Sequence, residues 1–256
     1  MSKVRTLVLR APGTLCDAET VFAFEQAGAV VSSVHVNQLI RGEQRLSDYQ
    51  IMAIPGGFTY GDDIAAGKVL ANELKLKLSE DILRFIEGGG LILGICNGFQ
   101  VLVKAGILPE PANGNSPLLT LAANDSGKFE CRWVHLKVNK QGPCVFTTGI
   151  DSMYLPVAHG EGKVVAPPDV LANQNVVLQY TDAEGNNQAG YPYNPNGSVD
   201  NIAGICDSSG RIFALIPHPE RHVQGTQHPQ WTRLGRKEYG DGFLIFQNAV
   251  EWAKNL

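Results

Sequence analysis

Over its first hundred residues the chain alternates short apolar runs with amphipathic stretches. Val4–Leu9 (V-R-T-L-V-L) reads as a strand. Asp17 then offers an N-cap and Glu19 suits a first helical turn. Val21, Phe22, Phe24 and Ala27 supply the apolar positions before Gly28 stops the helix. The β-branched run Val30–Val36 predicts a second strand, and Ile51–Ile54 a third, ended by Pro55-Gly56-Gly57. Leu74, Leu78, Ile82, Phe85 and Ile86 mark one face of a helix, although Leu74–Leu78 alone fits a strand as well. Gly88-Gly89-Gly90 ends that segment, and Leu91–Ile95, apolar throughout, is a fourth strand. Uninterrupted apolar strands between amphipathic helices imply a parallel sheet covered on both faces, a doubly wound α/β fold.

Beyond about residue 115 the texture changes. Cys131–Val138, Val176–Tyr180, Ile202–Cys206 and Arg211–Ile216 read as strands separated by turns, not helices, which predicts antiparallel additions to the same sheet. Phe243, Phe246, Val250 and Ala253 recur at helical spacing and predict a closing helix. Tyr191–Asn201 (Y-P-Y-N-P-N-G-S-V-D-N) has loop chemistry and is too long for a simple turn. No repeat or linker interrupts the chain, so residues 1–256 are expected to form a single domain.

Composition narrows the class. With 44% hydrophobic and 18% charged residues the chain is too apolar for a disordered one. A net charge of −4 excludes wholesale wrapping of nucleic acid, whose footprint is a basic stripe. No stretch approaches the ~20 apolar residues of a membrane helix, and Thr6–Leu9 is too short for a signal-peptide core. Five cysteines, an odd number with no C-x-x-C pair, fit a reduced cytoplasmic compartment, most of them as small buried hydrophobes.

The most informative segment is Gly94-Ile95-Cys96-Asn97-Gly98, where an apolar strand runs into G-x-C-x-G and then into the helix-compatible Phe99–Lys104. This is the cysteine form of a nucleophile elbow. A nucleophile on a sharp strand-to-helix turn needs small neighbours two residues away. It projects above the sheet at a helix N-terminus, whose dipole favours thiolate, and the amide of Asn97 is left aimed where an oxyanion would form. Read alone, the same pattern fits a buried cysteine at an ordinary junction. A partner changes the balance, because a cysteine nucleophile needs a base and the base needs an orienting group. His218-Pro219-Glu220 follows the apolar run Ile212–Ile216, at the carboxyl end of a late strand, where open α/β sheets bind ligands. Glu220 would hold one imidazole nitrogen and turn the other toward the thiol, giving a Cys96–His218–Glu220 triad. Pro55-Gly56-Gly57-Phe58 would add free amides at the sheet rim, or else be only a tight turn.

Three competing motifs fail. Gly61–Lys68 (G-D-D-I-A-A-G-K) has one residue too many for a phosphate loop, and Val69 stands where Ser or Thr would hold magnesium. His218-x-Glu220 has no P-C-x-x-C after it, as a zinc deaminase requires. His218 and His222 lack the glutamate offset of H-E-x-x-H. No metal site and no ATP site are therefore expected in this chain.

Gly94–Gln100 (G-I-C-N-G-F-Q), Pro55–Asp62 and Pro217–His222 (P-H-P-E-R-H) resemble the class I, or triad, glutamine amidotransferases. Phe129–Trp133, Pro156–Gly162 and Tyr191–Ile205 are most similar to the branch that serves phosphoribosylformylglycinamidine synthase, in de novo purine synthesis. The resemblance spans nearly the whole chain. It implies that Cys96 attacks the carboxamide of glutamine, forming a glutamyl thioester and releasing ammonia, while His218 moves protons and Glu220 orients it. It further implies an oxyanion hole from amides around Gly57 and Asn97, glutamine held by Gln100 and the His159-Gly160 segment, and Phe58 among the substrate-binding residues. Ammonia would pass to a synthetase subunit carrying ATP and magnesium, which converts formylglycinamide ribonucleotide to its amidine, and a small third subunit would bridge the two. A start at Met1 directly into the glutaminase suits the separate-subunit form.

Two departures from the family stand out. Leu15 replaces a usual Asn, which removes a polar side chain from that loop, and Val223–Asp241 is longer than in compact members. That segment reads as a solvated insertion in preference to a partner-docking surface. The rival readings are a stand-alone cysteine hydrolase or protease on a related scaffold, and a non-catalytic subunit that keeps the fold.

Overall fold

The computed structural model describes residues 3–109, 119–168, 175–187 and 190–256. Arg5–Arg10 (β1), Val30–His35 (β2), Ile51–Ile54 (β3), Leu91–Ile95 (β4) and Ile212–Leu215 (β11) form the parallel half of a nine-stranded sheet. Ile202–Cys206 (β10), Asn175–Thr181 (β9), Glu130–Val138 (β6) and Ser152–His159 (β7) extend it antiparallel, in the order β2-β1-β3-β4-β11-β10-β9-β6-β7. Thr120–Ala123 (β5) and Glu161–Val165 (β8) pair separately. β3 and β4 are buried at every position, as strands covered on both faces must be.

Two apolar clusters flank the sheet. One gathers Phe24 of α1 (Asp17–Gln26) with Phe246 and Val250 of the closing helix Phe243–Ala253. The other gathers Leu70 and Leu74 of α3 (Lys68–Lys77), Ile82 and Phe85 of α4 (Ser79–Glu87), and Phe99 and Leu102 of α5 (Asn97–Ala105). The helices thus lie on both faces, and the doubly wound arrangement with antiparallel additions is the one expected.

Local differences have physical causes. The helix expected through Leu74 and Ile86 is two helices, α3 and α4, broken at Leu78, whose φ of −128° leaves the helical region. Within α3, Leu70, Ala71 and Leu74 are buried at helical spacing while Leu76 is 77% exposed, so the strand-like alternation of Leu74–Leu78 carries no structural weight. β2 stops at His35, because the His35 side chain caps a short helix, α2 (Val36–Ile40). The insertion after His222 is anchored at its ends by a bridge between Gln224 and Tyr239, while residues 231–239 are solvent-exposed. It covers a cavity of about 440 Å³ whose walls include Tyr154, His222 and Trp231. Among the described residues no helix is long and apolar enough to cross a membrane.

Candidate active site

Cys96 joins β4 to α5 with φ 51° and ψ −104°, a strained conformation for a residue carrying a side chain at a packed junction. Its neighbours explain why the chain tolerates it. A Cβ at Gly98 would sit 1.9 Å from the Ile54 carbonyl oxygen, and one at Gly94 would sit 2.6 Å from Leu102 Cδ1. Glycines at both places let α5 start directly on the strand ends. Gly98→Ala is therefore expected to lower Tm by roughly 2–12 °C, from about 1–3 kcal/mol of overpacking, measured by calorimetry. An unchanged Tm would show that β3 and α5 are less tightly apposed.

Cys96 is only 5% exposed, and its Sγ lies 3.8 Å from the Ala158 carbonyl. The first turn of α5 begins at the next residue, so the positive end of the helix faces the sulfur. His218 enters from the end of β11, buried, with Nδ1 2.6 Å from Glu220 Oε1. The short turn Pro219–Arg221 makes this i,i+2 contact possible. Burial opposes the imidazolium, but the Glu220 carboxylate and then the Cys96 and Cys16 sulfurs outweigh it and hold the His218 pKa well above the ordinary value. His218 Nε2 and Glu220 Oε2 are buried without a hydrogen-bond partner among the described residues.

The amides of Gly57 and Asn97 donate to no acceptor among the described residues, and both flank this region. Gly57 has φ 151°, and a Cβ there would meet the Gly13 carbonyl oxygen at 2.5 Å, so that loop position is glycine for steric reasons. The Phe58 amide corrects one expectation: it donates to Gly13 O at 2.9 Å and is not a free donor. Phe58 contributes its half-exposed ring instead, 6.3 Å from that of Phe129. Leu15, 58% exposed, holds the opposite loop through its backbone, its N–H donating to Gly56 O. A polar side chain there is dispensable for the turn.

Asn97 and Gln100 are buried in a polar bridge. Asn97 Oδ1 accepts from the Thr59 hydroxyl (2.7 Å) and amide, while Nδ2 donates to Asp62 (3.0 Å) and to Gln100 Oε1 (2.8 Å). Gln100 Nε2 donates to Glu161 O at 2.5 Å. Both ends of the Gln100 amide are thus engaged within the protein. His159, at the end of β7, is buried with Nδ1 3.0 Å from Asn124 Oδ1, and Gly160 O accepts from the Asn124 amide. Burial, reinforced by the charge of His218, pushes the His159 pKa down to about 4. The Tyr191–Asn201 loop braces the strand behind it, with Asn196 Nδ2 donating to Gly162 O at 2.8 Å.

Sequence reasoning missed several neighbours. Cys16, to which the sequence assigned no role, lies 3.9 Å from His218 Nδ1 and accepts from Arg221 Nη2 at 3.0 Å. Donor atoms of Cys16, His218 and Glu220 all fall within 4.8 Å of one another, yet each residue is already engaged by a protein partner. Asn124 is a further neighbour that no motif flags, and Glu130 and Arg132 lie in the Phe129–Trp133 match without an assigned role.

A cysteine at a helix N-terminus beside a carboxylate-held histidine and two unengaged amides can perform acyl transfer through a thioester. Residues 3–253 match the family of CobB/CobQ-like glutamine amidotransferase domains, and the chain belongs to that family. Its relatives are more particular. It is 59% identical over 256 residues, 100% of both chains, to phosphoribosylformylglycinamidine synthase subunit PurQ of Dehalococcoides mccartyi. It is 42% identical over 264 residues, 97% of each chain, to the subunit of the same name from Methanococcus maripaludis. Among solved structures, PurLQS from Thermotoga maritima superimposes with a TM-score of 0.76 at 34% identity, covering 98% of this chain and 99% of that one. Another glutamine amidotransferase from Thermotoga maritima shares the fold, at 16% identity and TM-score 0.53, covering 100% of this chain and 94% of that one.

Proposed function

We propose that this chain is the glutaminase subunit of phosphoribosylformylglycinamidine synthase. Cys96 Sγ attacks the side-chain carbonyl carbon of glutamine, and the amides of Gly57 and Asn97 hold the oxyanion. His218 gives a proton to the departing nitrogen, the C–N bond breaks, and ammonia leaves with a glutamyl thioester on Cys96. Water, deprotonated by the now neutral His218, then releases glutamate. Ammonia serves a synthetase subunit that makes the amidine of formylglycinamide ribonucleotide, with ATP and magnesium held on that partner and a small subunit joining the two. Such a complex works in the cytoplasm.

The observation that carries this reading is the positive-φ Cys96 at the N-terminus of α5 beside the buried His218–Glu220 pair. A glutamine analogue with an electrophilic side-chain carbon is expected to add one equivalent to Cys96 in the assembled complex, located by peptide mass spectrometry. Modification of Cys16 or Cys131 in place of Cys96 would refute the assignment.

A further inference from the structure

Two of the five cysteines meet away from the site described above. Cys144 leads into the short turn Val145–Thr147, and Cys206 is the last residue of β10. Both are buried, in the apolar cluster that also holds Phe146 and Phe213. The turn between β10 and β11 brings them together. Asp207 fixes that turn, its amide donating to Ile212 O at 3.0 Å and its Oδ1 accepting from the Ile212 amide at 2.8 Å. Gly210, at φ 71°, then lies flat against the backbone before Val145. A Cβ there would stand 2.0 Å from Pro143 O and 2.9 Å from the Cys144 nitrogen. Gly210 O accepts from the Val145 amide at 3.0 Å, and the Cys206 thiol donates to the Cys144 sulfur.

The two sulfurs are not equivalent. Burial pushes the Cys144 thiol up, but the Cys206 thiol, the Thr147 hydroxyl and the amides of Phe146 and Thr147 surround its sulfur with donors and bring its pKa below the ordinary value. The hydrogen bond to Cys144, then burial and the charges of Cys144 and Asp207, hold the Cys206 thiol well above its ordinary value. One member of the pair is thus set up to be a thiolate while the other keeps its proton. Access differs too. Cys144 lines a cavity of about 270 Å³ together with Lys140, Pro143, Thr148 and Asp151, and Lys140 and Asp151 form an ion pair at that wall. A lone buried cysteine acts as a small hydrophobe. A thiolate-favouring sulfur that faces both a cavity and a second thiol has the parts of a redox couple.

We propose that Cys144 and Cys206 form a dithiol oxidised by small hydroperoxides, with Cys144, reached through the 270 Å³ cavity, as the sulfur attacked first and Cys206 as the resolving thiol. Cys144 loses its proton to solvent, and the thiolate attacks the terminal oxygen of the hydroperoxide. The O–O bond breaks, two electrons pass from sulfur to oxygen, and the departing alkoxide or hydroxide takes a proton from solvent. The Cys206 sulfur then attacks the Cys144 sulfenic acid, the S–O bond breaks, and the hydroxyl leaves as water with the Cys206 proton. The resulting disulfide ties the Val145–Thr147 turn to β10. Cys206 pairs with Phe213 near the start of β11, whereas His218 follows the end of that strand, so the dithiol is separate from the triad.

The test treats the full chain with hydrogen peroxide at neutral pH and resolves its peptides by mass spectrometry without reduction. The expected product joins the peptide carrying Cys144 to the one carrying Cys206, lighter than their sum by two hydrogens and released by dithiothreitol. In Cys206→Ala, Cys144 is expected to stop at the sulfenic acid, which a cyclic diketone labels about 10-fold faster than the exposed Cys131, because environment outweighs access. In Cys144→Ala, Cys206 should stay unlabelled. Oxidation of Cys131 in the unmodified chain with Cys144 and Cys206 both still thiols would overturn the proposal even if neither variant folds, as would labelling of Cys206 in Cys144→Ala. The readout is a bond between two sulfurs and not turnover, so it stands apart from the glutaminase reading.

Discussion

Cys96→Ala in the assembled complex is expected to lower glutamine-dependent amidine formation by about 10⁴-fold or more, while synthesis from added ammonium stays within about twofold of the unmodified rate. Without the sulfur no thioester forms, and neither the unengaged amides nor His218 can supply a covalent route. The partner's chemistry needs only ammonia, however delivered. Burial supports the clean separation: Cys96 is a small, nearly enclosed side chain at a junction fixed by glycines, so its truncation removes one atom without opening the sheet. The two rates, measured by product formation with glutamine or ammonium chloride, decide between the readings. Retained glutamine-dependent synthesis would return the chain to the status of a non-catalytic subunit. Turnover of peptide substrates by the isolated chain, with none of glutamine, would favour a stand-alone hydrolase.

The parallel half of the sheet was legible because fully buried strands carry no alternation to misread. Ile51–Ile54 and Leu91–Ile95 are apolar at every position and begin and end where expected. β7 was invisible for the opposite reason. Its inward positions Met153, Leu155 and Val157 alternate with half-buried Tyr154, Pro156 and Ala158, and a proline within a run argues against a strand. The Cys96 elbow and the His218–Glu220 contact could be read because an elbow and a strand-end histidine have local signatures. Cys16 could not, since its contact with His218 spans 202 positions and depends on Gly56 leaving room for both. The contacts of Asn124 and Arg132 were hidden likewise, since they arise from a strand register and from hydrogen bonds that cross 35 and 59 positions.

Glu220→Gln is expected to reduce glutamine hydrolysis by roughly 10²- to 10⁴-fold and to move the alkaline limb of the kcat/KM profile to lower pH. In the unmodified protein Glu220 Oε1 accepts from His218 Nδ1 at 2.6 Å, which leaves Nε2 to serve the sulfur and the leaving nitrogen. An amide in its place can present N–H to Nδ1, pinning the proton on the wrong nitrogen. The charge matters separately. The carboxylate is the largest influence raising the His218 pKa against burial, so its removal lets burial dominate and the pKa falls. In the proposed reaction the imidazolium is the acid that completes ammonia release, and it would therefore be lost at lower pH in the variant. Stability follows the same sign. A histidine whose folded pKa is raised stabilises the fold fully below its ordinary value near 6.5, and that contribution fades as pH climbs through the raised value. The Tm deficit of Glu220→Gln should accordingly be largest at mildly acidic pH and shrink as pH rises. An alkaline limb that stays in place, with a Tm deficit independent of pH, would mean that Glu220 positions the ring without holding its charge.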